Sequence, residues 1–397
     1  MVVTAALILD VILIVGLVSA LVYGYTRGLF RVVGGVAGMI AGAIAAFFVL
    51  PLISTFAALS EWRVLLGLLA AVLLVSIGFS LGVAIGNIVS RPLHKTPLRV
   101  VDRVLGAAAN VAVGIVVISL LGFGAQSLGA PVLTQAMASS NVLRTIDDLT
   151  PKPVASFLAQ LRSTIVTDGL PRIVDAVGGP QTAPTIPEVT LDSPELTQAA
   201  ASVVRITGNA PSCGTGSVGS GFVVSEDRVV TNAHVLAGVT ELVVEVPGNL
   251  PKTGRVVYFD PVDDLAVIAV DGLDAAPLAV SPTLPAGSMA AFMGYPYGGP
   301  FSVQPAEVLS SGPTLVGDIH GSNPVPREIS TLAANVQQGN SGGPLLTEDG
   351  AVAGVIFAKS DGTENVGYAL AMEEVLPVIA QAPELTDAVS SGSCVTH

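Results

Sequence analysis

This 397-residue chain has little positive charge, few histidines and only two cysteines. Seventeen Lys and Arg stand against 30 Asp and Glu, a net charge of −13. From residue 193 onward six basic residues face 21 acidic ones, a net of −15, so a polyanion such as nucleic acid would be repelled along that whole segment. An acidic surface of this kind favours solubility, and it loses self-repulsion as carboxylates protonate, so the fold is expected to tolerate acid. Two cysteines and four histidines, His94, His234, His320 and His397, form no cluster that could ligate a metal, and nothing in the sequence calls for a cofactor. Only 12% of the residues are charged, about half the share of a soluble domain, and the mean hydropathy is +0.72.

The apolar excess lies before residue 144. A membrane-spanning helix needs about 20 mostly apolar residues, and four stretches qualify: Val2 to Tyr23, Val32 to Leu50, Val64 to Gly86 and Val104 to Phe123. Arg27 and Arg31 lie between the first two spans, and Arg91, Lys95, Arg99 and Arg103 between the last two, whereas the middle loop carries Glu61 and Arg63. Basic loops stay in the cytoplasm, which turns both termini outward. Val2 to Tyr23 lacks the basic leader and small-residue cleavage site of a removable signal, so it is expected to remain as a span. Gly34, Gly38 and Gly42 in the second span, and Gly78, Gly82 and Gly86 in the third, form small-residue stripes that let helices touch. Asp10 falls inside the first span, where an ionisable group needs a polar contact or serves a transport or sensing role.

The chain divides into residues 1–125, a four-helix transmembrane domain, 126–195, a linker, and 196–397, an all-β domain. Pro151-Lys152-Pro153 opens an amphipathic stretch to about Ile165. Gly178-Gly179-Pro180 to Pro187 is a Pro/Thr-rich tether expected to be mobile or open to proteases. Ser193-Pro194 reads as cap and first residue of a short helix. Beyond it, β-branched runs such as Glu241 to Val246, Gly254 to Phe259 and Gly350 to Phe357 alternate with turn residues. Glu373 to Ala380 reads as a closing helix. Cys213 and Cys394 both fall in the outward half, where a pair is most simply a disulfide. Such a bridge would tie the tail to the strands before His234, and a redox-regulatory role for it is open.

Three motifs carry chemistry. Thr231-Asn232-Ala233-His234-Val235, then Asp260-Pro261-Val262-Asp263-Asp264-Leu265-Ala266-Val267, then Gly339-Asn340-Ser341-Gly342-Gly343-Pro344 give the order His, Asp, Ser. A serine hydroxyl needs a histidine to take its proton, and that histidine needs a carboxylate to orient it. His234 follows the strand Arg228 to Thr231 and precedes the acid. Glycines around Ser341 allow a sharp turn in which the Gly339 and Ser341 amides converge on one oxyanion.

With Gly219-Ser220-Gly221-Phe222-Val223-Val224, these segments resemble the trypsin-like peptidases of the HtrA branch over about residues 196 to 380. The resemblance implies a double six-stranded β-barrel with a cleft between the barrels, and it prefers Asp264 over Asp263 because the acid directly precedes Leu-Ala-Val. Asn340 stands where digestive relatives have an aspartate that pairs with a newly cut N-terminus, so activation by that route is not expected. Too few residues follow the closing helix for the peptide-binding module of many HtrA relatives. Substrate choice is then expected to rest on the cleft, the membrane half or a partner. Asp10 and the segment Tyr23 to Arg31 resemble the colicin V production family, over about residues 1 to 125.

The combination resembles the MarP family of actinobacterial membrane-anchored serine proteases. That resemblance implies a multi-pass membrane serine endopeptidase whose protease domain faces the periplasm and acts in acid and oxidative stress. Its implied substrates are cell-envelope proteins such as peptidoglycan hydrolases. The rival readings are a transporter or sensor whose β domain only binds peptides, and an esterase using the same acyl chemistry.

Overall fold

A computed structural model describes residues 2–56, 63–92, 96–127, 136–137, 139–163, 172–173, 180, 182–188, 191–213 and 215–395. Glu61, His94, Lys95, Gly178, Gly179 and His397 lie outside these residues.

Four long helices come first: α1 (Val2–Arg27), α2 (Leu29–Phe56), α3 (Arg63–Ser90) and α4 (Leu98–Ser127). All four are long and apolar enough to cross a membrane, and they extend the spans read from sequence by several residues. Their apolar side chains face outward, with Phe47 74% and Phe48 67% exposed, which suits lipid and not water. Hydroxyls inside them bond back to the preceding turn, as Ser76 does to the Val72 carbonyl (2.7 Å) and Ser80 to that of Ser76 (2.8 Å). The glycine stripes of α2 and α3 meet as expected. A Cβ on Gly38 would run into the Gly78 carbonyl, and one on Gly34 into that of Gly82. Asp10 is buried. Asn110 of α4 donates to the Ala20 carbonyl of α1 (2.7 Å), pairing a polar group that lipid could not satisfy.

Residues 10–119 form one compact unit, and residues 120–397, with the first nine, the other. In the second unit the linker supplies α5 (Asn141–Leu149), α6 (Lys152–Ser163) and a short strand β1 (Arg172–Ile173). Ser193 caps α7 (Pro194–Ala200) through its hydroxyl, which accepts from the Leu196 N–H (3.1 Å), as Ser-Pro predicts. Two described residues of the tether are hydrogen-bonded to the domain. Thr363 Oγ1 donates to the Pro180 carbonyl (3.2 Å) and Asn365 Nδ2 to that of Pro184 (3.3 Å), laying it along the loop 361–365.

Two sheets follow. The first barrel closes in the order β2 (Val203–Ala210), β3 (Thr215–Ser225), β4 (Arg228–Thr231), β7 (Leu265–Ala269), β6 (Lys252–Asp260) and β5 (Glu241–Glu245). The second sheet contains β8 (Met289–Gly294), β9 (Ser302–Val316), β10 (Val325–Ala333), β11 (Pro344–Leu346), β12 (Val352–Ser360) and β13 (Val366–Leu370). Pairing of β12 with β13 closes these six strands, and β1 adds a parallel strand on β12 with Arg172 opposite Lys359. The β-branched and aromatic residues that marked strands fill the cores, with Ile206, Phe222, Phe292, Phe357 and Tyr368 at most 1% exposed. Helix α9 (Met372–Gln381) ends the domain, with Glu373 and Glu374 in its first turn, where the helix dipole favours them.

Candidate active site

β4 ends at Thr231, and the chain turns at once into the four-residue helix α8 (Ala233–Leu236), whose residues are all buried. That turn aims the His234 ring inward. Its Nδ1 lies 2.7 Å from Asp264 Oδ2 and 3.0 Å from Oδ1, and the His234 backbone N–H donates to Oδ1 at 2.9 Å. Both side chains are almost wholly buried, at 3% and 4% exposure. A carboxylate can only accept, so Nδ1 is the donor of this pair, and Nε2 makes no hydrogen bond among the described residues.

The acid is presented by a turn, not by strand alternation. Asp260 Oδ1 accepts the N–H groups of Val262 (2.8 Å) and Asp263 (3.1 Å), folding the loop on itself. Asp264 then takes a left-handed backbone conformation, φ 56°, just before β7. Asn232 Nδ2 donates to the Asp264 carbonyl (2.8 Å), so two residues of the histidine motif hold the acid in place. Asp263 is not hydrogen-bonded to the imidazole. Burial and the neighbouring Asp260 and Glu374 push its carboxyl pKa up, with Arg327 opposing.

Ser341 lies on the turn between β10 and β11, 3% exposed. The turn is built from within: Gln337 N–H donates to Asn340 Oδ1 (2.8 Å) and Asn340 N–H to the Gln337 carbonyl (3.0 Å). Asn340 thus supports the loop by two neutral hydrogen bonds at the position where the sequence ruled out an ion pair. Gly339 has φ 89°, which a side chain would resist, and a Cβ there would strike the Tyr295 carbonyl. Neither the Gly339 nor the Ser341 N–H is used in a hydrogen bond among the described residues. Gly342 packs against Thr231 and the Asn232 amide, which brings the serine turn of the second barrel onto the histidine motif of the first.

Several contributors were not singled out from sequence. Arg327, 2% exposed, donates to the Gly317 carbonyl (2.8 Å) and lies over the Phe357 ring. Burial lowers its pKa, while Asp264, Asp263, Glu374 and Asp260 oppose that shift, so a buried cation backs the acidic loop. A lone arginine on a strand gives no sequence signal of this. Linker helix α6 packs on the loop 295–301, where a Cβ on Gly299 would press on Ala159. A cavity of about 680 Å³ opens beside that contact, lined by Phe157, Gln160, Tyr297, Phe301 and Gln337. His234 and Ser341 do not line it. Among the described residues no group of three or more His, Cys, Asp or Glu is placed to hold a metal.

Cys213 and Cys394 are bonded to each other, 181 residues apart. The bridge touches the loop after α8 as well as the strands before it. Gly238 lies against Cys213 Sγ, its N–H donates to the Ser391 carbonyl (3.1 Å), and Ser391 Oγ donates to the Val239 carbonyl (2.7 Å). The C-terminal tail is therefore stitched to the loop leaving His234. Closing so long a loop stabilises by up to about 5 kcal/mol in the chain-entropy estimate.

Residues 219–355 match the trypsin-like peptidase domain, and residues 9–151 match the colicin V production protein. The serine protease Rv3671c of Mycobacterium tuberculosis H37Rv is 34% identical over 323 residues, covering 78% of this chain and 79% of the relative. The chain belongs to the Rv3671c, or MarP-type, family of serine proteases. A crystal structure of Rv3671c from M. tuberculosis in its active form is 36% identical, with a TM-score of 0.51, over 54% of this chain and 96% of that one. A protein of Hahella chejuensis named as a DegP-like periplasmic serine endoprotease is 35% identical over 182 residues, 44% of this chain and 37% of that protein. The family makes this chain a serine protease of the HtrA type, and its helices and colicin V production region make it a multi-pass membrane protein.

Proposed function

We propose that Ser341 is the nucleophile, His234 its general base and Asp264 the orienting acid of an endopeptidase acting on extracytoplasmic proteins. The observation that carries the reading is the buried His234–Asp264 contact at 2.7 Å, which engages Nδ1 and leaves Nε2 without a hydrogen-bond partner among the described residues. His234 Nε2 takes the Ser341 proton as Oγ attacks the peptide carbonyl. The Gly339 and Ser341 N–H groups hold the developing oxyanion, and the protonated imidazole gives its proton to the leaving amine. Water, activated by the same histidine, then releases the acyl group from Ser341. Apo sites of this kind often have a long Ser–His separation that tightens with substrate.

The finer reading is that the protease domain faces the periplasm and trims envelope proteins, peptidoglycan hydrolases among them, under acid and oxidative stress. It rests on the basic loops around Arg31 and Arg99 and on the MarP resemblance. In intact cells, an impermeant thiol reagent should label a cysteine placed at Thr182 and miss one placed at Arg31. Labelling at Arg31 would reverse the orientation. Mass spectrometry of envelope proteins in cells carrying Ser341→Ala should show uncut clients that wild-type cells process. An unchanged envelope proteome at acid pH would refute the client class.

A further inference from the structure

Ser220 of β3 is fully buried, and its side chain reaches from the first barrel into the serine turn. Its N–H donates to the Ser341 carbonyl (2.8 Å). Its hydroxyl donates to the Gly339 carbonyl (2.6 Å) and accepts from the Tyr295 N–H (2.9 Å). Its own carbonyl accepts from Thr231 Oγ1 (2.7 Å), three residues before His234. One serine thus joins the strand leading to the base, the turn carrying the nucleophile and the end of β8.

The Gly339 Cα is the joint between two peptide planes. The plane on its N-terminal side carries the Gly339 N–H, and its carbonyl, that of Gln338, accepts from the Tyr297 N–H. The plane on its C-terminal side carries the Gly339 carbonyl held by Ser220. A glycine at φ 89° has no side chain to resist rotation, so three bonds on its two peptide planes decide where its N–H points, the third being the Asn340 N–H to the Gln337 carbonyl (3.0 Å) on the C-terminal plane. Two of them come from backbone, which no substitution removes; the third comes from a hydroxyl.

We infer that Ser220 is a positioning residue: its hydroxyl, together with the Asn340 N–H to Gln337 carbonyl bond, holds the Gly339–Asn340 peptide and thereby keeps the Gly339 N–H aimed at the point the Ser341 N–H also faces. This rests on the reading of those two amides as oxyanion donors. Ser220 touches no reacting atom, and it acts through Gly339. Loss of a whole oxyanion donor costs about 10²–10³-fold in kcat. Loosening one should cost less, about 10- to 100-fold.

The test uses the full-length protein in detergent with the variants Ser220→Ala and Ser220→Cys, the second keeping a weak donor. Peptide turnover, affinity for a peptidyl trifluoromethyl ketone and Tm are measured together. Ser220→Ala should lower kcat about 10- to 100-fold with KM within about twofold. Affinity for the ketone, whose adduct bears an oxyanion, should weaken in parallel, and Ser220→Cys should fall between. A lower Tm with kcat and ketone affinity unchanged would overturn the proposal and leave Ser220 as packing. If Ser220→Ala does not fold, the ketone affinity of Ser220→Cys decides the matter by the same criterion. Ser341→Ala is the control for the underlying reading: activity surviving in it sinks the whole site, whereas a dead Ser341→Ala with a fully active Ser220→Ala sinks only the role of Ser220.

Discussion

Ser341→Ala and His234→Ala should each cut proteolysis by at least about 10³-fold, and the double variant should be little worse than either alone. The non-additivity follows from the mechanism, since a base without its nucleophile and a nucleophile without its base are equally idle. The residue of activity left to each is whatever the oxyanion donors and substrate binding supply. Ser341→Ala should fold as the wild type does. The turn is held by backbone bonds, Ser220 N–H to the Ser341 carbonyl (2.8 Å) and Gly342 N–H to the Ile356 carbonyl (2.8 Å), and alanine keeps them all. His234→Ala should fold less stably, because it leaves the buried Asp264 carboxyl with only the backbone N–H at position 234. Turnover of a denatured protein substrate, with Tm measured on the same samples, checks both. Full activity in folded Ser341→Ala would remove the assignment.

The second large effect separates two adjacent carboxyls. Asp264→Asn keeps the size of the side chain but can present an N–H₂ to Nδ1, which favours the wrong imidazole tautomer and should lower kcat by about 10⁴-fold. Asp263→Asn should leave kcat within a few-fold, since Asp263 makes no bond to the ring. Its effect should appear in stability instead. Burial raises the Asp263 pKa above the ordinary aspartate value, so the folded state holds that proton more tightly than the unfolded chain does. The charged carboxylate is then a cost above the raised pKa that fades as pH falls through it. Asp263→Asn should accordingly raise Tm at neutral pH, with the gain fading as pH falls through the raised carboxyl pKa. Kinetics at pH 7 and thermal melts across that range test the pair. A large kcat loss in Asp263→Asn with Asp264→Asn active would exchange the two residues.

What was legible in the sequence was whatever depended on local pattern. Span length, the glycine stripes, Ser193 as cap, the β-branched runs and the order His234, Asp264, Ser341 are all written along the chain. Asp264 was preferred to Asp263 by resemblance, whereas the structural difference between them is the Asp260 turn, after which Asp264 takes a left-handed conformation and meets the His234 ring. Contacts between distant segments were not legible. Ser220 stood in plain view between two glycines, yet its bond to Gly339 spans 119 residues. Arg327 carries no motif, and its place behind the acidic loop exists only once both barrels have closed. The tether read as unstructured from composition, but its carbonyls found donors in Thr363 and Asn365, which composition cannot show.

The seam between α2 and α3 bears on how this chain can change over generations. By hydropathy, glycine in an apolar helix looks exchangeable for alanine or valine, and neighbouring positions such as Ile40 and Ile44, facing outward, are so. At Gly34, Gly38, Gly78 and Gly82 even one added methyl would meet a backbone carbonyl of the opposite helix, which no rotamer can avoid. Drift is therefore free on one flank of each helix and closed every fourth residue on the other. The tolerance of each helix to a larger side chain thus differs between its two flanks, and the four-residue spacing of the intolerant positions records the helix pairing.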